Sequence, residues 1–173
     1  MRCFTEDEAR TLLKDRLGPD RLPSIAFPNQ PVANFSFADR PFSHLIEVST
    51  ALIEAVGPWE EAWWWVATPD TWNRSLLSLY YRLRQASNDH RLIGQAPVHY
   101  FDRHEEADLL SFVTVTILNE WRAFLVTSHD YGRILVTPSY TAIVGRSDSA
   151  ELEAIRTGLA ARGFVEVLPV SAI

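Results

Sequence analysis

The chain is poor in cysteine, lysine and glycine, and each shortage excludes something. Cys3 is the one cysteine among 173 residues, so no intrachain disulfide can form. That fits a reducing compartment, and a cytoplasmic location is expected. Cys3 sits at a terminus expected to be mobile and is not nominated as a nucleophile. The seven glycines form neither G-x-G-x-x-G nor G-x-x-x-x-G-K-[ST], so no phosphate-cradling loop is present. C-x-x-C and G-x-S-x-G are missing too. Lys14 is the only lysine, and arginine supplies every other fixed cation, as GC-rich codon usage would produce. No apolar run approaches the roughly 18 residues of a membrane span. The opening MRCFTEDEAR is acidic where a secretory signal would be basic and then apolar.

What is there is ordinary in bulk and unusual in one place. Hydrophobic residues make up 47% and charged residues 22%, which suits a single globular domain over 1–173. The net charge of −6 argues against general nucleic-acid binding, which needs a basic face, and suits a basic protein partner. The unusual place is WEEAWWWVAT, residues 59–68, with Trp63, Trp64 and Trp65 in a row and Trp59 close by.

Periodicity orders the rest. Thr5 and Glu8 form a capping box for a helix over about 6–17. An irregular arm with four prolines fills 18–34, and Phe35 and Phe37 flank Ser36 as a short strand. Leu45, Val48, Leu52 and Val56 share one face of a helix over about 41–56, with Gly57 at its exit. WWWVAT reads as a strand. A helix over about 71–86, capped by Asp70, carries an apolar stripe of Trp72, Leu76, Leu79, Tyr80 and Leu83. Residues 98–101 form a short strand after a loop over 87–97. Residues 104–119 fit helix and strand patterns alike, and the acids near Glu105 favour a helix. RAFLVT, RILVT and YTAIVG follow as a three-stranded meander. Asp148 caps a last helix with Leu152, Ile155 and Leu159 on one side, closed near Gly163, before the strand FVEVLPV.

Neighbouring side chains of a strand point to opposite faces, so Trp63 and Trp65 share one face and Trp64 takes the other. Such a strand is either covered on both faces or offers one for binding. The second alternative makes Trp59 and Trp64, beside Glu60 and Glu61, candidate partner-binding residues, since tryptophan is enriched at interface hot spots.

Candidates for chemistry are few. Ser128-His129-Asp130 names the members of a hydrolase triad, but three consecutive side chains splay apart and cannot normally converge. Turn chemistry at a hairpin tip explains the string as well. His99, Asp102 and His104 with Glu105 offer metal-ligand types, but His-x₄-His matches no strong zinc spacing. The low-prior catalytic set is therefore His99, Asp102, His104, His129 and Asp130. No cofactor and no metal are expected.

From Trp121-Arg-Ala-Phe-Leu-Val through Ile134-Leu135-Val136-Thr137-Pro138-Ser139-Tyr140, a helix leads into a tryptophan, then a hairpin and a polar turn. Over about 104–148 this resembles small bacterial α+β proteins of the toxin-immunity type. The resemblance implies an α+β fold and a non-catalytic protein-binding role, and it assigns no site residues. The expected architecture is α+β: an antiparallel sheet, mainly from the C-terminal half, with helices packed on it. The expected function is protein binding through an acidic, Trp-bearing surface. A small hydrolase or metal-dependent enzyme is the alternative, and a homo-oligomeric structural protein the second alternative.

Overall fold

The meander RAFLVT–RILVT–YTAIVG forms the middle of the sheet, as its β-branched and aromatic content requires. The computed structural model describes residues 1–17, 31–39, 41–67, 74–128, 133–146 and 148–168. Within them, β5 (Ala123–Thr127), β6 (Arg133–Thr137) and β7 (Thr141–Gly145) pair in sequence order. Five further strands extend this meander: β1 (Arg2–Phe4), β2 (Val32–Ser36), β3 (Glu61–Val66), β4 (Val98–Asp102) and β8 (Val165–Val167). The order is β1-β4-β3-β5-β6-β7-β2-β8, and every neighbouring pair is antiparallel. Together with five helices this is an α+β fold.

Two strands differ from expectation. Residues 2–4 are not loose: Cys3 sits opposite His99 in β1. Three residues are too few to show alternation, so nothing in the sequence marks them. β2 starts at Val32, inside the segment expected to be irregular, because its residues pair on both sides, Asn34 with Ile143 and with Val167. The remainder of that segment, 18–30, lies outside the described residues.

The helices are α1 (Glu6–Leu17), α2 (Leu45–Ala55), α3 (Arg74–Ala86), α4 (Glu106–Leu118) and α5 (Ser149–Ala161). The capping box at α1 is formed: the Thr5 amide donates to Glu8 Oε2 at 2.8 Å and the Glu8 amide to Thr5 Oγ1 at 3.2 Å. Residues 106–118 are helical, and Leu109, Phe112, Val113, Val115 and Ile117 are buried, which fits the middle position of α4 between α2 and α3. The α2 face of Leu45, Val48, Leu52 and Val56 is buried as its spacing predicts. The buried Arg146 reaches the open C-terminal end of α2, donating from Nη2 to the Ala55 carbonyl at 2.7 Å. Leu79 corrects the α3 stripe: it is 43% exposed, because α3 turns Tyr80 and Arg84 inward instead. Asp70 and Trp72 lie outside the described residues.

β3 answers the question of the three tryptophans. Trp64 faces the helical layer, in one core with Phe101, Phe112 and Leu125. Trp63 and Trp65 face the other way, against Ala9 and Leu13 of α1. Each buried indole removes roughly 150–250 Å² from water, on the order of 4–6 kcal/mol before ordering entropy. The single polar atom of Trp64, Nε1, donates to Thr116 Oγ1 of α4 at 3.0 Å. The Arg10 guanidinium covers the ring of Trp65 at 5.0 Å.

Candidate functional site

Two places gather the residues that sequence reasoning singled out: a polar cluster under α3, and the outer face of α2.

The cluster begins with His99 on β4. It stands opposite Trp64 and Cys3 on neighbouring strands and points into the helical layer, with 0% exposure. A carbonyl can only accept, so the contact to the Trp64 carbonyl at 3.2 Å assigns the proton to Nδ1. Nε2 then accepts the Tyr80 hydroxyl at 2.9 Å. Burial first, and then the nearby Arg84 charge, push the imidazole pKa down to about 3. His99 is thus a neutral, saturated core histidine with no lone pair left for a substrate or a metal. Burial raises the Tyr80 phenol well above its usual range.

Arg84, also fully buried, closes the cluster. Its Nη2 donates to Asp89 Oδ1 at 2.8 Å, and Arg91 grips Asp89 Oδ2 from the solvent side, with Nη2 at 2.6 Å and Nε at 3.0 Å. Burial alone would raise the Asp89 carboxyl, but the hydrogen bonds from Arg91 and Arg84 outweigh it and hold it well below the ordinary carboxylate range. Arg91 Nη2 also donates to the Cys3 carbonyl at 2.8 Å, fastening β1 to the loop after α3. Burial is the main cause that pushes the Cys3 thiol up to about 11, so it stays protonated and unreactive near neutral pH. The cluster ties helix, loop and sheet edge together. Sequence reasoning missed it because Arg84 and Asp89 look like ordinary solvated charges.

The other sequence candidates have structural occupations. Asp102 caps the turn before α4: its Oδ1 accepts the His104 amide at 2.9 Å, and Glu105 Oε2 accepts the Asp102 amide at 3.0 Å. His104 is exposed while His99 is buried, so the pair does not meet in one site. Ser128 Oγ accepts the backbone amides of Glu60 at 3.4 Å and Glu61 at 3.2 Å, so it binds a distant segment at the start of β3 rather than amides of its own hairpin turn. His129 and Asp130 lie outside the described residues. Among the described residues no group of three or more His, Cys, Asp or Glu side chains is placed to hold a metal ion. Among them, too, no helix is long and apolar enough to cross a membrane.

The expectation that Trp59 or Trp64 stands exposed is corrected. They are 5% and 1% exposed: Trp64 because a strand between two packed layers has no free face, and Trp59, just before β3, because it packs into the core of the helical layer. Of their acidic neighbours, Glu60 is exposed, and Glu61 is half-buried and accepts the Tyr100 hydroxyl at 2.9 Å.

Trp59 nevertheless reaches the second place. It lines a cleft of about 280 Å³ with Ile53, Glu54, Arg103 and Glu106. A cleft of about 350 Å³ continues from it between α2 and α4, past Ile53, Thr50 and Leu110. A third, of about 420 Å³, lies over Ile46, Glu47, Thr50 and Glu54. The floor is apolar, and the rim carries Glu47, Glu54 and Glu106 together with Arg103 and Arg162. Glu47 meets His44 Nδ1 at 2.8 Å, and Glu54 pairs with Arg162, all at the surface. Such exposed pairs are weak and easily exchanged for others.

No protein-family model, curated protein or solved structure matches the chain.

Proposed function

We propose that this chain is a non-catalytic protein-binding domain of the inhibitor or immunity type, which recognises a basic protein through the acidic outer face of its helical layer. The observation that carries this reading is the run of clefts along α2, floored by Ile53 and Trp59, where Glu47, Glu54 and Glu106 outnumber Arg103 and Arg162 on the rim. The net charge of −6 adds long-range attraction for a basic partner and would speed encounter. Of the described members of the candidate catalytic strings, His99, Asp102 and Ser128 are engaged in holding the fold, and His104 stands exposed apart from the buried His99.

The test is affinity capture from a lysate of the source organism, with wild type beside a Glu47→Lys/Glu54→Lys variant. The expected result is one basic protein retained in stoichiometric amount by wild type, released by added salt and lost with the variant. Capture of nothing, or of a protein indifferent to salt and to both substitutions, would overturn the reading.

A further inference from the structure

Few side chains hold α3 to the body, and the buried ones belong to the His99 cluster. Of its described side chains, 77–86, only Tyr80 and Arg84 are buried. α2 buries seven residues and α4 six, and the two that α5 buries are leucines. Leu77, Tyr81 and Leu83 are half-buried, and the remaining described side chains of α3 are exposed. The Tyr80 ring stands edge-on to Phe112, Trp121 and His99, with ring centres at 5.0, 5.3 and 5.4 Å. Its hydroxyl can donate to His99 Nε2 only while that nitrogen keeps its lone pair. The docking of a whole helix therefore depends on one imidazole being neutral.

The groups that face His99 make a proton unwelcome there. α3 contributes the Tyr80 phenol and the Arg84 guanidinium, and the turn after it the Asp89 carboxylate, whose other oxygen holds Arg91. β1 places Cys3 opposite, with its thiol protonated. Among the described residues, β3 adds the Trp64 carbonyl and α4 the uncharged Phe112 ring at 4.8 Å. One carboxylate thus already serves two guanidiniums, and an imidazolium would be a third cation. We propose that His99 is an acid-operated latch for α3: protonation at Nε2 turns the acceptor of the Tyr80 hydroxyl into a donor, sets a cation beside Arg84, and releases α3 with the turn through Arg91 while the meander stays folded. The sign follows from burial. With α3 docked the ring stays neutral down to about pH 3, and once α3 has left it meets water and takes a proton near its ordinary value of about 6.5. Opening takes up one proton between those values, so it becomes about tenfold more frequent for each unit that pH falls below 6.5. It uncovers Phe112 and Trp121, both buried while α3 is docked.

Hydrogen exchange of the whole chain tests this, followed amide by amide between pH 6.5 and 5 and corrected for the intrinsic exchange rate. Above pH 5 the Asp89 carboxylate stays ionised whether α3 is docked or not, so it adds no slope of its own. The amides of 78–86 are expected to exchange through one shared opening, more frequent than that of the strands 123–127 and 133–137. That opening should grow about tenfold per pH unit. His99→Gln should remove the pH dependence. Tyr80→Phe keeps the ring and loses the hydroxyl alone, so it should make the opening several-fold more frequent and keep the dependence. Amides of α3 that open no more often than the meander would overturn the latch, since α3 would then leave only with the whole fold. So would an opening of α3 indifferent to pH, or a pH dependence that survives His99→Gln. If His99→Gln does not fold, wild type and Tyr80→Phe decide. A tenfold slope in both, with the more frequent opening in Tyr80→Phe, supports the latch, and a flat profile or an unchanged frequency overturns it.

Discussion

The pocket around His99 and the outer face of α2 both hold groups that invite a functional reading, and they use them in opposite ways. Around His99 the polar atoms face inward, and most are bound to a neighbour: imidazole to carbonyl and phenol, guanidinium to carboxylate. On α2 the carboxylates face water in surface pairs, and Ile46 is covered by nothing described. A buried histidine hydrogen-bonded on both sides, or a buried arginine paired with a carboxylate, has already committed its chemistry to the fold. An exposed acid beside an exposed isoleucine has not. Among the described residues, His99 and Arg84 serve the stability of the interior, and the outer face of α2 is where recognition is proposed.

That contrast can be broken or sharpened experimentally. The largest effects should come from the interior. Trp64→Ala should lower unfolding free energy by about 3–5 kcal/mol in urea titration, the cost of a large core cavity. A loss under about 1 kcal/mol would mean that Trp64 is not packed between layers as described. Asp89→Ala should cost a comparable amount, about 3–5 kcal/mol, because it leaves the buried Arg84 charge unpaired. Adding Arg84→Met to Asp89→Ala should restore part of that loss. A double variant no better than the single would place the cost elsewhere, in the Arg91 contacts.

A smaller and graded effect concerns pH. The folded-state pKa of His99, about 3, lies below the unfolded value near 6.5. Between those values the unfolded chain binds the additional proton, so stability falls as pH drops, by up to about 1.4 kcal/mol per unit. Asp89 adds its own loss below about pH 5, where an unfolded carboxylate begins to protonate. Urea midpoints measured between pH 5 and 6.5 should therefore show the His99 slope, and His99→Gln should flatten it. An unchanged slope in that variant would assign the titration to another group. The smallest effect is on the other side of the comparison. Ile46→Asp should change stability by no more than about 0.5 kcal/mol while it weakens partner binding. A marked loss of stability there would mean that α2 is less exposed than it is described.

Much of this was legible in the sequence because it is local. The capping box of Thr5 and Glu8, the apolar face of α2 and the alternation of the meander depend on neighbours a few residues away. The helix over 104–119 was decided by acids at its start, and α4 follows that signal. The covered strand at Trp63–Trp65 was one of two open alternatives, and only the packing of α1 and α4 on opposite faces decides between them. β1 and the start of β2 depend on distant partners and carry no periodic mark. Arg84 and Leu79 exchange the environments their chemistry suggests, because Asp89 in the following loop draws the guanidinium inward and α3 rotates with it.

The sheet order has a consequence in time. β2 lies between β7 and β8, so Asn34 waits for Ile143 and then for Val167, 133 residues later in the chain (167 − 34). At a synthesis rate of about 5–20 residues per second, that interval is roughly 7–27 seconds. For the first 109 of those residues (143 − 34), Phe35 and its flanking backbone have neither neighbour to pair with. A nascent chain of this protein therefore carries an unpaired, aromatic-bearing strand until β7 is made. Its refolding should be governed by closing that distance rather than by forming any helix.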